Sequence, residues 1–261
     1  TRRTMNNDNF TSFELLPKVR VYQGLLPDID KLFDIIKSSE RDSNGQYFFT
    51  KWVKWGTFGI YSHQKHIGQL PFSDHPREQE EKYLSDRTFE AYNIALEHYK
   101  KTYNIDFPNT ASLQKSSFSK YDGNLPKPKN NLAMQYHTDF IISERDMPGS
   151  KFLLTCTTYI NDDYDGGEIE FYFDDKFYPY KPKAGDLMIF PSQEPYWHGV
   201  KAVNNGHKYL VRNYLVYDYD GNPEWLEKQK SYGAYRWAKM EIERVERENP
   251  LNMKYFQRES K

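Results

Sequence analysis

The chain has 261 residues, enough for one large β-domain with flanking helices, and a second domain is not required. Lys plus Arg number 36 and Asp plus Glu 37, so a duplex-binding protein, which needs a basic stripe, is not expected. One cysteine, Cys156, excludes an intrachain disulfide framework, and no apolar run approaches the length of a membrane span. The opening Thr1-Arg-Arg-Thr-Met5 leads into no apolar stretch, so no secretory signal is read and a cytoplasmic protein is expected. Aromatics reach 17%, including 22 Tyr, which predicts a core built with aromatic rings.

In chain order, residues 27–39 read as a helix, with Ile29, Leu32, Phe33 and Ile36 on one face and Pro27 at its start. Trp52, Trp55 and Phe58 fall in a segment of strand and loop. Residues 85–103 read as a second helix that packs through Phe89, Tyr92, Leu96 and Tyr99. The stretch Asn124-Leu-Pro-Lys-Pro-Lys-Asn-Asn131 has loop composition. From residue 132 short β-like runs follow one another, at 132–139, 152–160, 168–173, 186–190 and 208–217. Turn signals separate them, and such spacing suggests a sandwich or barrel. Pro223 to about Glu248 reads as a closing helix, with Trp225, Trp237, Met240 and Val245 as packing residues. The expected class is therefore mainly β with flanking helices (α+β). The whole chain is read as one domain: a support region 1–117, a β-core 118–217 and a helical tail 218–261.

His137-Thr138-Asp139 ends a predicted strand, where side chains two apart share a face, so an imidazole and a carboxylate can meet one ion. His198, 59 positions beyond Asp139, is the best third ligand. Two His and one carboxylate on one side of an ion leave its other positions open, an arrangement typical of non-haem Fe(II) oxygenases. A surface His–Asp pair and a core histidine would give the same three letters, so the surroundings must decide. His63 and His66 have ligand spacing but no third partner nearby, and read as solvated histidines.

Those surroundings carry a resemblance. Tyr121-Asp-Gly123, Tyr136-His-Thr-Asp139, Thr158-Tyr-Ile-Asn161 and Asp165-Gly-Gly-Glu168 come first. Ala184-Gly-Asp-Leu187, Phe190-Pro-Ser192, His198-Gly-Val200 and Gly206-His-Lys-Tyr209 follow. Across residues 118–217 the sequence resembles the prolyl 4-hydroxylase-like branch of the Fe(II)/2-oxoglutarate-dependent oxygenases, in the family's order and spacing. The resemblance implies a double-stranded β-helix, a jelly-roll-like barrel with the metal at one mouth. It implies Fe(II), 2-oxoglutarate and O2 as cofactor and co-substrates, with ascorbate as an accessory reductant. It also implies hydroxylation of an unactivated C–H bond, with release of succinate and CO2.

The resemblance further assigns His137, Asp139 and His198 to iron, and places a basic residue nine or ten positions after the second histidine on the far carboxylate of 2-oxoglutarate. Lys208 is ten after His198, and Arg212 fourteen after. Strand parity puts Lys208, Leu210, Arg212 and Tyr214 on one face, so both cations can point inward, and an ion pair elsewhere in the barrel is the other reading for Arg212. Tyr159 sits where the family often places a tyrosine on that carboxylate, and Tyr121 fits a similar role. Gly166-Gly167 reads as turn chemistry, His207 as pointing away from the anchor, and Cys156 as a small buried hydrophobe. The expected substrate is a prolyl side chain in a peptide or protein, or free proline, with no nucleic-acid or membrane partner. Two alternatives stay open: a nucleic-acid demethylase on the same fold, which would use paired arginines on the last strand, and a non-catalytic metal-binding jelly roll. Residues 40–84 and 140–151 show no assignable pattern.

Overall fold

The structure, a computed structural model, describes residues 4–5, 10–38, 52–54, 60–63, 74, 76–107, 111–114, 116–124, 131–140 and 150–218. In chain order these form β1 (Thr4–Met5), β2 (Thr11–Leu16), β3 (Val19–Gln23), α1 (Ile29–Ser38), β4 (Trp52–Lys54), β5 (Ile60–His63) and α2 (Pro76–Tyr103). Then follow β6 (Ala111–Leu113), β7 (Ser117–Asp122), β8 (Leu132–His137), β9 (Ser150–Tyr159), β10 (Asp165–Gly166) and β11 (Ile169–Phe173). The last are β12 (Lys176–Tyr180), β13 (Leu187–Pro191), β14 (Trp197–Lys201), β15 (Val203–Asn205) and β16 (His207–Asp218). The proposed closing helix, His66, and most of the 124–131 loop lie outside the described residues.

Two antiparallel sheets face each other. The larger runs β1-β2-β3-β13-β9-β16-β7-β5-β4, with β6 beside β16, and the smaller runs β12-β11-β14-β8. This is the double-stranded β-helix, with helices added on one side. Period-2 alternation explains the layering. On β13, Met188 and Phe190 enter the inner core between the sheets, while Leu187 and Ile189 enter the outer core under the helices. On β16, Leu210 faces inward, and Tyr209, Val211 and Leu215 face the helices. Cys156 joins that outer core as a fully buried side chain.

Helix α1 forms close to its expected span. Helix α2 starts nine residues before the expected Ser85, at Pro76, a favourable first helical residue. Its first turns carry polar side chains that are nevertheless buried, which hid them from an apolar pattern. Arg77 donates to the Ile35 carbonyl at 2.5 Å and to the Ser38 hydroxyl, so it caps the end of α1. At the other end of α1, Tyr83 and Arg87 hold Asp28, at 2.7 and 3.1 Å. Tyr92, Leu96 and Tyr99 supply the buried face, as expected, with Phe89 only partly covered. Helix α2 ends where Asn104 takes a left-handed conformation.

Two short turns require left-handed backbone. Asp174 and Asp175 both have positive φ and close the β11–β12 hairpin, a two-residue turn whose twist suits antiparallel strands. Gly166 and Gly167 both sit at φ 69°, and Gly166 pairs with Val203 of β15. A Cβ on Gly166 would lie 2.2 Å from the Ala202 carbonyl oxygen, a backbone atom that cannot swing away. Gly166→Ala is therefore expected to lower stability by more than about 1 kcal/mol, from left-handed strain plus the clash. Chemical unfolding checks this, and an unchanged midpoint would contradict the assigned turn.

Candidate metal centre and co-substrate pocket

His137 closes β8 and His198 lies on β14, and the two residues are direct cross-strand partners. Directly opposed positions of an antiparallel pair place side chains on the same face, and the ring centroids are 4.5 Å apart. The strand reading extended to residue 139, but β8 ends at His137, and Asp139 begins a helical turn. The turn still brings the carboxylate to both rings. Asp139 Oδ1 is 3.5 Å from His137 Nε2, and Oδ2 is 3.6 Å from His198 Nε2. One ligand atom from each residue lies within 4.8 Å of the others, a grouping compatible with a single metal ion.

The neighbours prepare these groups for that role. His137 Nδ1 donates to the Gln135 carbonyl at 2.7 Å, and His198 Nδ1 to the Tyr196 carbonyl at 3.2 Å. A carbonyl can only accept, so each Nδ1 carries the proton and each Nε2 presents a lone pair to the centre. Burial, then the adjacent His137, pushes His198 down to about 4, while Asp139 pulls the other way. His198 is thus neutral at pH 7, as a metal ligand must be. Burial alone would raise the pKa of Asp139. The adjacent His137 and His198 side chains and the Thr155 hydroxyl outweigh it and hold the carboxyl well below the usual carboxylate range. Thr155 Oγ1 donates to Asp139 Oδ2 at 2.7 Å and sits 2.8 Å from Ser192 Oγ. Phe171 and Phe190 wall the other side of the His198 ring, at 5.5 and 4.9 Å.

Behind the triad lies a buried cation. Lys208 enters the barrel from β16 and is fully buried. Its ammonium donates to the Gly167 carbonyl at 2.6 Å. It also faces the rings of Tyr159 at 5.1 Å and Tyr121 at 5.3 Å. Among the described residues no hydrogen bond reaches either tyrosine hydroxyl, so both can serve an added oxygen ligand. Burial drives the Lys208 pKa down to about 7; Lys181 adds to this, and Glu168 opposes it. Lys181 grips the same turn, donating to the carbonyls of Tyr164 and Gly166 at 2.9 and 2.5 Å. Arg212 also points inward, and its Nη2 donates to Ser119 Oγ at 2.8 Å. His207 turns the other way, with Nδ1 3.3 Å from Asp122. The supporting Thr155 and the Lys181 clasp are not among the residues read from the sequence, and Ser192 appears there only as the end of the Phe190-Pro-Ser192 motif. Thr155 shares strand parity with Tyr159 on β9, the one signal that could have exposed it.

The 2OG-Fe(II) oxygenase superfamily model matches residues 120–216, which contain His137, Asp139, His198, Lys208, Tyr159 and Tyr121. Residues 120–216 are thus similar to a 2OG-Fe(II) oxygenase domain. The site fits that assignment from its own chemistry: two imidazoles with lone pairs prepared, one buried carboxylate, and a buried cation behind them. Solved structures with the same fold include a prolyl hydroxylase in complex with a hypoxia-inducible factor peptide fragment, from Trichoplax adhaerens. It has 14% identity and a TM-score of 0.52, and the match covers 78% of this chain and 84% of that one. A viral collagen prolyl hydroxylase from Paramecium Bursaria Chlorella virus-1 matches at 15% identity, TM-score 0.47, over 77% of this chain and 90% of that one. A Pseudomonas putida prolyl-4-hydroxylase matches at 15% identity, TM-score 0.47, over 76% and 91%. No curated protein matches the sequence.

The depressed Lys208 pKa has a measurable sign. Between about 7 in the folded protein and the ordinary lysine value of 10.5, the unfolded chain binds the extra proton, so this residue's penalty eases as pH rises through that window. A carboxylate partner needs the ammonium form. Binding of 2-oxoglutarate at about pH 8.5 is therefore expected to take up close to one proton, and at about pH 6 almost none. Calorimetry in buffers of different ionisation enthalpy reads this directly. Equal, negligible uptake at both values would remove Lys208 from the co-substrate site.

Proposed function

We propose that this chain hydroxylates a prolyl side chain, in a peptide or as free proline, in the manner of the prolyl 4-hydroxylase-like branch. The observation that carries the reading is the buried Lys208 ammonium behind an inward-facing His–Asp–His set. A metal-storage or structural jelly roll has no use for a fully buried cation beside its metal, whereas a dicarboxylate that chelates the metal at one end requires one at the other. His137, Asp139 and His198 would hold Fe(II) from one side and leave the opposite positions open. When bound, the iron supplies activation of O2, so that 2-oxoglutarate, O2 and a C–H bond become succinate, CO2 and a C–OH group.

The chain's own residues do the positioning. Lys208 would pair with the far carboxylate by a charge-assisted bond, the strong kind, with the Tyr159 and Tyr121 hydroxyls completing its shell. Phe171, Phe190 and Tyr159 exclude water from the inner core, which strengthens that pairing. Thr155 keeps the Asp139 carboxylate oriented between the two imidazoles. The prolyl assignment draws support from the motif order between Tyr121 and Lys208, and from the reported relatives being prolyl hydroxylases. The nucleic-acid alternative gains nothing, since β16 carries a lysine at the anchor position.

Succinate release with iron, 2-oxoglutarate and ascorbate tests this. Slow release is expected without substrate, with clear stimulation by proline-rich peptides or by free L-proline. Stimulation by a different substrate class, with both proline forms inert, would sink the prolyl assignment while leaving the oxygenase reading in place.

A further inference from the structure

The co-substrate accounts for the buried Lys208, but the inner face of β16 carries a second, partly buried cation. Arg212 lies opposite Thr157 of β9, one pleat from the Tyr214–Thr155 pair, and Thr155 is the residue that donates to Asp139. Diagonal neighbours of this kind are about 7–8 Å apart, within reach of an arginine side chain. Lys208 is four residues deeper, about 13 Å along the strand. The two cations therefore serve different levels of the barrel: Lys208 its closed end, Arg212 the level beside the metal ligands. The guanidinium donates to Ser119, itself fully buried, at 2.8 Å, and is also hydrogen-bonded with the Tyr214 side chain. Beyond it, Tyr214 stacks on Phe152 at 3.9 Å and 7°, a rigid apolar wall on the same inward face. Burial opposes the Arg212 charge, but Tyr214, Tyr121 and Asp139 sustain it, which agrees with a position beside the metal centre.

We propose that Arg212 receives the carboxylate of a free amino-acid substrate and so sets the substrate class of this oxygenase. The inference rests on the reading above and deepens it. Both charges of 2-oxoglutarate are already matched, one by the metal and one by Lys208, so an anion at the Arg212 level belongs to the other substrate. A planar guanidinium fork suits a carboxylate, which it binds through two parallel bonds. A residue inside a peptide chain offers only neutral amides next to its side chain. A free amino acid offers a carboxylate within a few bonds of the carbon to be hydroxylated. The Tyr214–Phe152 stack is a surface on which an apolar ring or chain can lie.

The test compares free L-amino acids with their α-amides on the full chain. Binding is read by calorimetry with Mn(II) and 2-oxoglutarate bound, and turnover by succinate release with Fe(II). At least one free acid is expected to stimulate succinate release and to bind about tenfold or more tightly than its amide. Arg212→Gln should abolish that preference, and Arg212→Lys should restore part of it. Three results overturn the inference: no free amino acid stimulates release, acid and amide bind alike, or Arg212→Gln weakens 2-oxoglutarate in place of the amino acid. The acid–amide comparison needs only the unaltered chain, so misfolding of a variant does not affect it. Absence of any succinate release would instead sink the oxygenase reading itself.

Discussion

Burying a lysine ammonium costs several kcal/mol unless a partner is supplied, and the barrel's architecture is arranged around that cost at Lys208. The β10 turn bends its Gly167 carbonyl onto the ammonium, which needs positive φ at two successive positions and no Cβ at either. Two tyrosine rings present their faces to it from β7 and β9. These contacts leave the charge under-compensated, as its lowered pKa records. On the proposed reading a dicarboxylate entering from the metal end would complete the shell. Stability and proposed function would then meet in one residue.

The metal centre solves the complementary problem on the opposite sheet. Two imidazoles are brought together by direct cross-strand pairing, and their tautomers are fixed by backbone carbonyls two residues earlier in each case. Asp139 is delivered by a turn and not by a strand, so its orientation depends on Thr155 from the larger sheet. That hydrogen bond, with the Phe140 N–H donating to the Ser192 carbonyl at 2.9 Å, links the turn after β8 to the larger sheet. It also couples the ligand set to β9, the strand that carries Tyr159 toward the other end of the co-substrate.

The sequence made the β-core legible because short β-like runs bounded by turn signals mark 152–160, 186–190 and 208–217, and the strands fall there within a residue or two. The His137, Asp139 and His198 grouping was readable from motif order, and parity placed Lys208 and Arg212 on one inward face. Three features were hidden for physical reasons. The first turns of α2 bury Arg77, Glu78 and Glu81, so no apolar period marks them. Asp139 reaches its place through a break in the strand, which side-chain parity cannot foresee. Thr155 acts through a contact across 16 positions of chain, and threonine is too common in strands to announce it.

The central claim is that His137, Asp139 and His198 hold iron while Lys208 orients 2-oxoglutarate upon it. Anaerobic titration of the Fe(II)-loaded chain with 2-oxoglutarate, followed by visible absorption, reads the chelate through its metal-to-ligand charge-transfer band. The account predicts that band in the unaltered chain and its loss in Asp139→Ala. It predicts the same band in Lys208→Ala only at co-substrate concentrations raised by one or more orders of magnitude, about 2–5 kcal/mol for breaking a buried charge pair. A Lys208→Ala chain that forms the band at unchanged concentration, with Arg212→Ala losing it, would contradict the account and move the anchor four residues along β16.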